Sequence, residues 1–172
     1  MQLDDVIAKR YSVRKFSGEP VPAEDLGAVL EAVRVAPSAK NQQPVRVLVC
    51  SSPEELAKID ACTPCRYGAP VVLVFAYDDG RCWRKEGRPE SGPVDVSIAA
   101  TYAMLEATDR GLGSVWVMNF ETAKLSETFA LPANIRPICL LPLGKAAPGA
   151  EPGPNHAQRV ALSEILLKTE GR

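Results

Sequence analysis

Helices layered on a central β-sheet within one domain are what this sequence predicts. Three observations carry that expectation. Short β-branched runs alternate with amphipathic helical stretches, the pattern of mixed α/β layers. One run, "PVVLVFAY" at 70–77, is apolar without alternation, as a central strand buried on both faces requires. The 172 residues are 46% hydrophobic and 24% charged, enough apolar side chain for a core that needs no disulfide or metal.

The elements follow in order. Residues 3–9 read as a short helix, with Asp4 and Asp5 early and Lys9 and Arg10 late, as the helix dipole favours. Residues 22–35 form a second helix: Pro22 suits the first turn, and Leu26, Val29, Leu30 and Val33 recur at helical spacing until Pro37 stops it. "VRVLVC" at 45–50 is a strand. Ser52-Pro53-Glu54-Glu55 is a capping box that starts a helix running to about Asp60. After the strand at 70–77, "DDG" turns the chain and 81–93 is a surface loop carrying Trp83. A long helix over about 94–110 sets Val94, Ile98, Tyr102 and Leu105 on one face beside Ala99, Ala100 and Ala103, and ends on a left-handed Gly111. A strand at 114–118, a helix at 121–129 and a strand at 136–144 complete the domain. A Pro/Gly-rich mobile connector, 145–158, then leads to an apolar tail at 160–168.

Composition narrows the function. The net charge is −1, from 20 basic and 21 acidic residues, which argues against a general nucleic-acid surface. No apolar run reaches the length of a membrane span, and the acidic start does not resemble a signal peptide, so a cytoplasmic location is expected. Cys50, Cys62, Cys65, Cys82 and Cys139 are an odd set that reads as reduced thiols. His156 is the only histidine, which leaves a Ser-His-Asp or Cys-His hydrolase without a well-placed base.

Four stretches bear chemistry. In "RYSVRKF", 10–16, an extended backbone puts Arg10, Ser12 and Arg14 on one face, so that two guanidiniums and a hydroxyl converge as an oxyanion requires. A solvated basic loop fits the spacing as well. In "APSAKNQQP", 36–44, Asn41 and Gln43 can face one way and offer donors and acceptors to a heterocycle edge, or simply decorate a polar loop. "GLGSVWVMNF", 111–120, turns on glycine into a strand, where glycine permits close backbone approach; it lacks the order of a Rossmann fingerprint, and no Walker A sequence is present. Cys62-Thr63-Pro64-Cys65 is a C-x-x-C that fits a dithiol redox pair or incidental thiols; the further ligands of a zinc site are missing, and no metal is expected.

In this order and at these separations, the segments resemble the FMN-dependent nitroreductase family, in particular a short-chain NAD(P)H-dependent flavin oxidoreductase. The resemblance spans "RYSVRKF", "EDLGAVLEAVRVAPSAKNQQPVRVLV", "APVVLVF", "DVSIAATYAMLEATDRGLGSVWV", "LPLGKAAPGAEPGPNHAQR" and the tail. It implies an α+β fold, an α/β/α sandwich on a mixed, mainly antiparallel sheet, forming a homodimer with one FMN at each of two interface sites. Residues 1–172 would be a single FMN-binding domain whose tail, about 145–172, wraps the partner. Arg10 and Ser12 would bind the FMN phosphate, with Tyr11 contributing backbone, and Arg14 would lie by the flavin N1–O2 edge. Pro37, Ser38 and Ala39, with Asn41 and Gln43 nearby, would reach the partner's flavin. Trp116, Val117, Met118 and Asn119 would pass the ring, with a backbone N–H of Met118 or Asn119 near N5. Gly144, Lys145 and Arg159 would close the phosphate end. The implied activity is ping-pong: NADH or NADPH gives hydride to N5, and an electron-poor acceptor such as a nitroaromatic or quinone then takes it.

Three features depart from the family pattern. Tyr11 stands where a second arginine is frequent, Lys40 is an extra residue in its loop, and 78–93 is too short for lid helices. The short segment leaves the pocket open, with Trp83 a candidate stacking plate in place of a lid. Two other functions fit the same residues: an FMN-binding or storage protein without turnover, and an anion-binding or dithiol redox module.

Overall fold

The computed structural model describes residues 1–167. Helices α1 (Leu3–Lys9) and α2 (Ala23–Val35) precede β1 (Val45–Cys50), α3 (Pro53–Cys62) and β2 (Val71–Asp78). Helix α4 (Gly92–Asp109), β3 (Gly113–Ser114), α5 (Thr122–Thr128), β4 (Ile135–Gly144) and α6 (Leu162–Ile165) follow. The capping box is formed as the sequence predicts: Ser52 Oγ accepts from Glu55 N at 3.2 Å, and Glu55 Oε2 accepts from Ser52 N at 2.9 Å.

The sheet has four strands in the order β1-β2-β4-β3, all antiparallel. Its parallel component is an isolated bridge, Ser12 to Ser114. Strand β2 is buried from Val71 to Tyr77. Leu73 and Phe75 face a core shared with α2 and α4, whereas Val72 and Val74 face a core shared with α3 and α5. Period-two alternation therefore feeds both layers, which is why no polar residue interrupts this run.

Several sequence expectations are corrected. The strand expected at 114–118 is cut to Gly113–Ser114, followed by a bridge from Val117 to Leu140. Val115 N donates to Pro142 O at 3.2 Å, but Pro142 has no N–H to return a bond, so the ladder breaks there. Helix α4 begins two residues earlier than expected, at Gly92. Its buried side is Val96, Ala99, Ala100, Ala103 and Ala107, while Val94 and Tyr102 point outward, 57% and 41% exposed. Small side chains let α4 lie close to the sheet, and among the described residues its large apolar stripe is only partly covered, with Ile98 and Leu105 half-buried.

The segment 145–158 is not a loose connector. Ser17 N donates to Lys145 O, Ala147 N to Lys15 O, and Phe16 bridges Ala146, so it runs beside the 10–17 ribbon. In the tail, Leu162, Ile165 and Leu167 are 68%, 64% and 94% exposed, and residues 168–172 lie outside the described residues. Among the described residues no helix is long and apolar enough to cross a membrane.

Candidate functional site

The ribbon 10–16 is extended and pinned on both sides. Val13 N donates to Ser114 O at 3.0 Å on one side, and Ser17 N to Lys145 O at 2.9 Å on the other. Gly113 makes the first contact feasible, because a Cβ there would lie 2.4 Å from Val13 Cγ2. With Val13 buried, residues 10, 12 and 14 turn the other way, as strand alternation requires.

Arg10, Ser12 and Arg14 then line one cleft of about 640 Å³ together with Arg159, Glu151, Gly153, Asn155 and His156. Among the described residues none of the three guanidiniums makes an ion pair, whereas Lys145 pairs with Glu19 at 2.9 Å and Arg110 with Asp25 at 3.1 Å. Three unneutralised arginines and a hydroxyl are the donor set for a phosphate.

Sequence reasoning assigned His156 to a mobile connector, and the structure places it in the wall of this cleft. Its ring stands edge-on to Tyr11, centroids 6.3 Å apart, and Tyr11 in turn donates to Ala150 O at 3.2 Å. No spacing rule brings residue 156 beside residue 11; the Ser17–Lys145 and Lys15–Ala147 bonds do. Gly144 and Lys145 do not line the cleft. A Cβ on Gly144 would meet Pro70 Cδ at 2.6 Å, so glycine there serves packing, and the Lys145 ammonium turns to Glu19.

Arg14 also bears on a second cluster. Cys65 Sγ accepts from Asn119 Nδ2 at 3.7 Å, and Thr63 Oγ1 donates to Asn119 O at 2.6 Å while accepting from Cys65 N at 3.1 Å. The Tyr67 hydroxyl, then Thr63, Asn119 and the charge of Arg14, hold the Cys65 thiol below its ordinary range against the opposing effect of burial. The C-x-x-C segment thus anchors the turn after Trp116. Cys62 is buried at the end of α3, and its carbonyl accepts from Glu121 N at 3.0 Å. In the turn, Val117 is paired with Leu140, Trp116 is half-buried, and Met118 and Asn119 are exposed. Among the described residues neither the Met118 nor the Asn119 N–H donates a hydrogen bond.

The 38–43 loop is held by a residue the sequence did not single out. Asp95, 2% exposed in the first turn of α4, accepts from Ala39 N at 2.9 Å and from Ser91 Oγ at 2.8 Å. Ser38 Oγ accepts from Gln43 N at 2.9 Å, and the Gln43 amide donates to Asn41 Oδ1 at 3.0 Å, so the two amides do share a side. Lys40, Asn41 and Gln43 adopt φ near 50°, a left-handed conformation that these bonds sustain, and Pro37 is exposed at the loop's entrance. Asp79, Cys82 and Glu90 form a possible ligand cluster, but the Arg84 guanidinium already binds both carboxylates.

Comparison with known proteins adds a family. A model described as the Nitroreductase family matches residues 7–63 and 64–145. A protein of Methanothermobacter thermautotrophicus, assigned as an NADH dehydrogenase/NAD(P)H nitroreductase, is 30% identical over 162 residues, 89% of this chain and 81% of that one. The crystal structure of a nitroreductase family protein from Clostridium difficile superposes with a TM-score of 0.90 at 34% identity, covering 97% of this chain and 98% of its own. A Desulfovibrio desulfuricans protein assigned as a nitroreductase and crystallised with FMN gives 0.85 at 26% identity, covering 98% and 97%.

Proposed function

The chain belongs to the Nitroreductase family and is a flavin oxidoreductase using FMN and NAD(P)H, and we propose that it passes hydride through FMN to an electron-poor acceptor. The observation that carries the site assignment is the cleft in which Arg10, Ser12, Arg14 and Arg159 converge without ion-pair partners among the described residues. Its donor set fits the phosphate of FMN. Bound there, FMN supplies the hydride relay that no side chain of this protein supplies, with ping-pong exchange of donor and acceptor.

The side chains bind, orient and polarise. Arg10, Ser12 and Arg159 would hold the phosphate, with the Tyr11 backbone alongside; Gly144 and Lys145 lie outside the cleft wall and contribute by supporting the ribbon. Arg14 lines the cleft and its charge also reaches Cys65; beside the N1–O2 edge it would be the fixed cation that favours negative charge there. Trp116, Val117, Met118 and Asn119 would flank the ring, and the N–H of Met118 or Asn119, neither of which donates elsewhere among the described residues, would be the donor for N5. Pro37, Ser38, Ala39, Asn41 and Gln43 would meet the flavin of a second protomer.

That last assignment makes the protein a homodimer in a single-domain arrangement. In support, the outward stripe of α4 is apolar, and a groove of about 470 Å³ between α1, α2 and α4 is lined by Leu3, Val6, Ala32, Tyr102 and Leu105. The exposed apolar tail at 160–167 is the partner segment suited to cover such surface. Sedimentation as a monomer with FMN bound would contradict the dimer. For the reaction, the purified protein titrated with FMN should become yellow and bleach on adding NADH or NADPH. Bound FMN that neither nucleotide bleaches would mark a storage protein instead.

A further inference from the structure

We infer that Thr63 is a positioning residue for the flavin: its hydroxyl orients and polarises the backbone N–H of Asn119, the donor that would meet N5. The inference rests on the oxidoreductase reading, in which Met118 and Asn119 are equal candidates for that donor, and it selects Asn119. Thr63 lies inside the C-x-x-C segment, whose thiols that reading leaves unused.

The hydrogen bonds run head to tail. Cys65 N donates to Thr63 Oγ1 at 3.1 Å, and Thr63 Oγ1 donates to Asn119 O at 2.6 Å. That carbonyl belongs to the same peptide as the Phe120 N–H, which donates to Met118 O at 3.1 Å. The Met118 carbonyl in turn shares its peptide with the Asn119 N–H. Each donor therefore draws electron density from the next peptide, and the series ends on the Asn119 N–H. Cooperative strengthening of this kind is about 10–30% per bond. The peptide of the Met118 N–H is polarised directly by one bond, Leu140 N to Val117 O at 2.9 Å.

The same bonds hold the turn in place. Thr63 is 4% exposed, and its own N–H is tied to Ile59 O in the last turn of α3. Glu121 N donates to Cys62 O at 3.0 Å, so this bond and the Thr63 hydroxyl fasten the turn to the helix end at two points. The Asn119 side chain is drawn to the same segment, Nδ2 to Cys65 Sγ at 3.7 Å. The Asn119 carbonyl and side-chain nitrogen are thus occupied, while its N–H has no partner among the described residues. Valine has the shape of threonine and would serve packing as well; the series of hydrogen bonds needs the hydroxyl.

The test compares FMN with 5-deaza-FMN, in which a C–H replaces N5, by fluorescence titration of flavin-free protein. Both carry the same phosphate and nearly the same ring, so the ratio of their affinities isolates the N5 contact. FMN should bind more tightly by roughly two- to tenfold, the contribution of one neutral hydrogen bond. Thr63→Val should bring that ratio towards one, and Thr63→Ser, which keeps the hydroxyl, should restore it. General loosening of the protein lowers both affinities and leaves the ratio alone. A second measurement needs no variant: in isotope-labelled wild-type protein, the Asn119 amide proton should resonate further downfield with FMN than with 5-deaza-FMN. A ratio unchanged in Thr63→Val, no recovery in Thr63→Ser, or a downfield difference on Met118 instead of Asn119 would overturn the inference. Protein that binds FMN and bleaches with NADH or NADPH, yet keeps its ratio in Thr63→Val, refutes the inference alone; protein that binds neither flavin refutes the oxidoreductase reading as well.

Discussion

Replacing Gly113 by alanine tests how the anion cleft is built. The added methyl would lie 2.4 Å from Val13 Cγ2 and 3.0 Å from Val13 Cβ. Carbon atoms prefer about 3.5–4.0 Å, so the two backbones must separate by roughly 1 Å. Val13 cannot swing aside, because it is 1% exposed within the core. The movement therefore passes to its neighbours Ser12 and Arg14, which line the cleft. Overpacking of this kind costs about 1–3 kcal/mol, a fall in Tm of roughly 2–12 °C for a chain of this size. Gly111→Ala is the control. Gly111 has φ of 74° with open space around it, so alanine there brings backbone strain of about 1 kcal/mol and no displacement of the ribbon. Thermal melts of flavin-free protein and FMN titrations by fluorescence read the two effects. Gly113→Ala should lose both stability and FMN affinity, and Gly111→Ala mainly stability. Equal FMN affinity in the two variants would refute the argument that Gly113 sets the position of Ser12 and Arg14.

Three further predictions use other parts of the molecule. Cys65 is the half-exposed thiol and the one pushed down, so iodoacetamide at neutral pH should label it first of the five, as mass spectrometry would show; even labelling would contradict this. Asp95→Ala strands the Ala39 N–H and Ser91 hydroxyl, at about 1–3 kcal/mol for each, and Asp95→Asn, which keeps the shape, should cost less in urea melts. Burial pushes Cys50 and Cys139 up to about 12, and burial followed by the Glu90 contact pushes Tyr77 to about 12. The unfolded chain ionises first, so the stability these groups contribute is intact at neutral pH and is lost as pH rises from roughly 9 towards 12. Urea midpoints that hold level across that window would contradict the assignment.

Local signals made most of the fold legible. The capping box at Ser52, the unbroken apolar run of β2 and the left-handed Gly111 each depend on residues within a few positions, and the structure has all three. What escaped depends on partners far along the chain. The early end of β3 is decided by Pro142, whose missing N–H matters only once β4 lies beside it. The direction of α4 was hidden because its alanines and its large apolar residues both recur at helical spacing. In the site, the shared face of Arg10, Ser12 and Arg14 follows from strand alternation. Asp95 looks like any acid in a helix's first turn, and His156 like any residue of a Pro/Gly-rich segment, until the backbone pairing of 15–17 with 145–147 is known.

The central claim is that the cleft of Arg10, Ser12 and Arg159 exists to hold the phosphate of FMN. The most direct measurement is the ratio of FMN to riboflavin affinity, which isolates that phosphate, in the wild-type protein and in Arg10→Ala. A wild-type preference for FMN that narrows by roughly tenfold or more in the variant is expected, from the loss of one charge-assisted contact of about 1.5–3 kcal/mol. Equal affinity for the two flavins in the wild type, or a preference that Arg10→Ala leaves intact, would contradict the account.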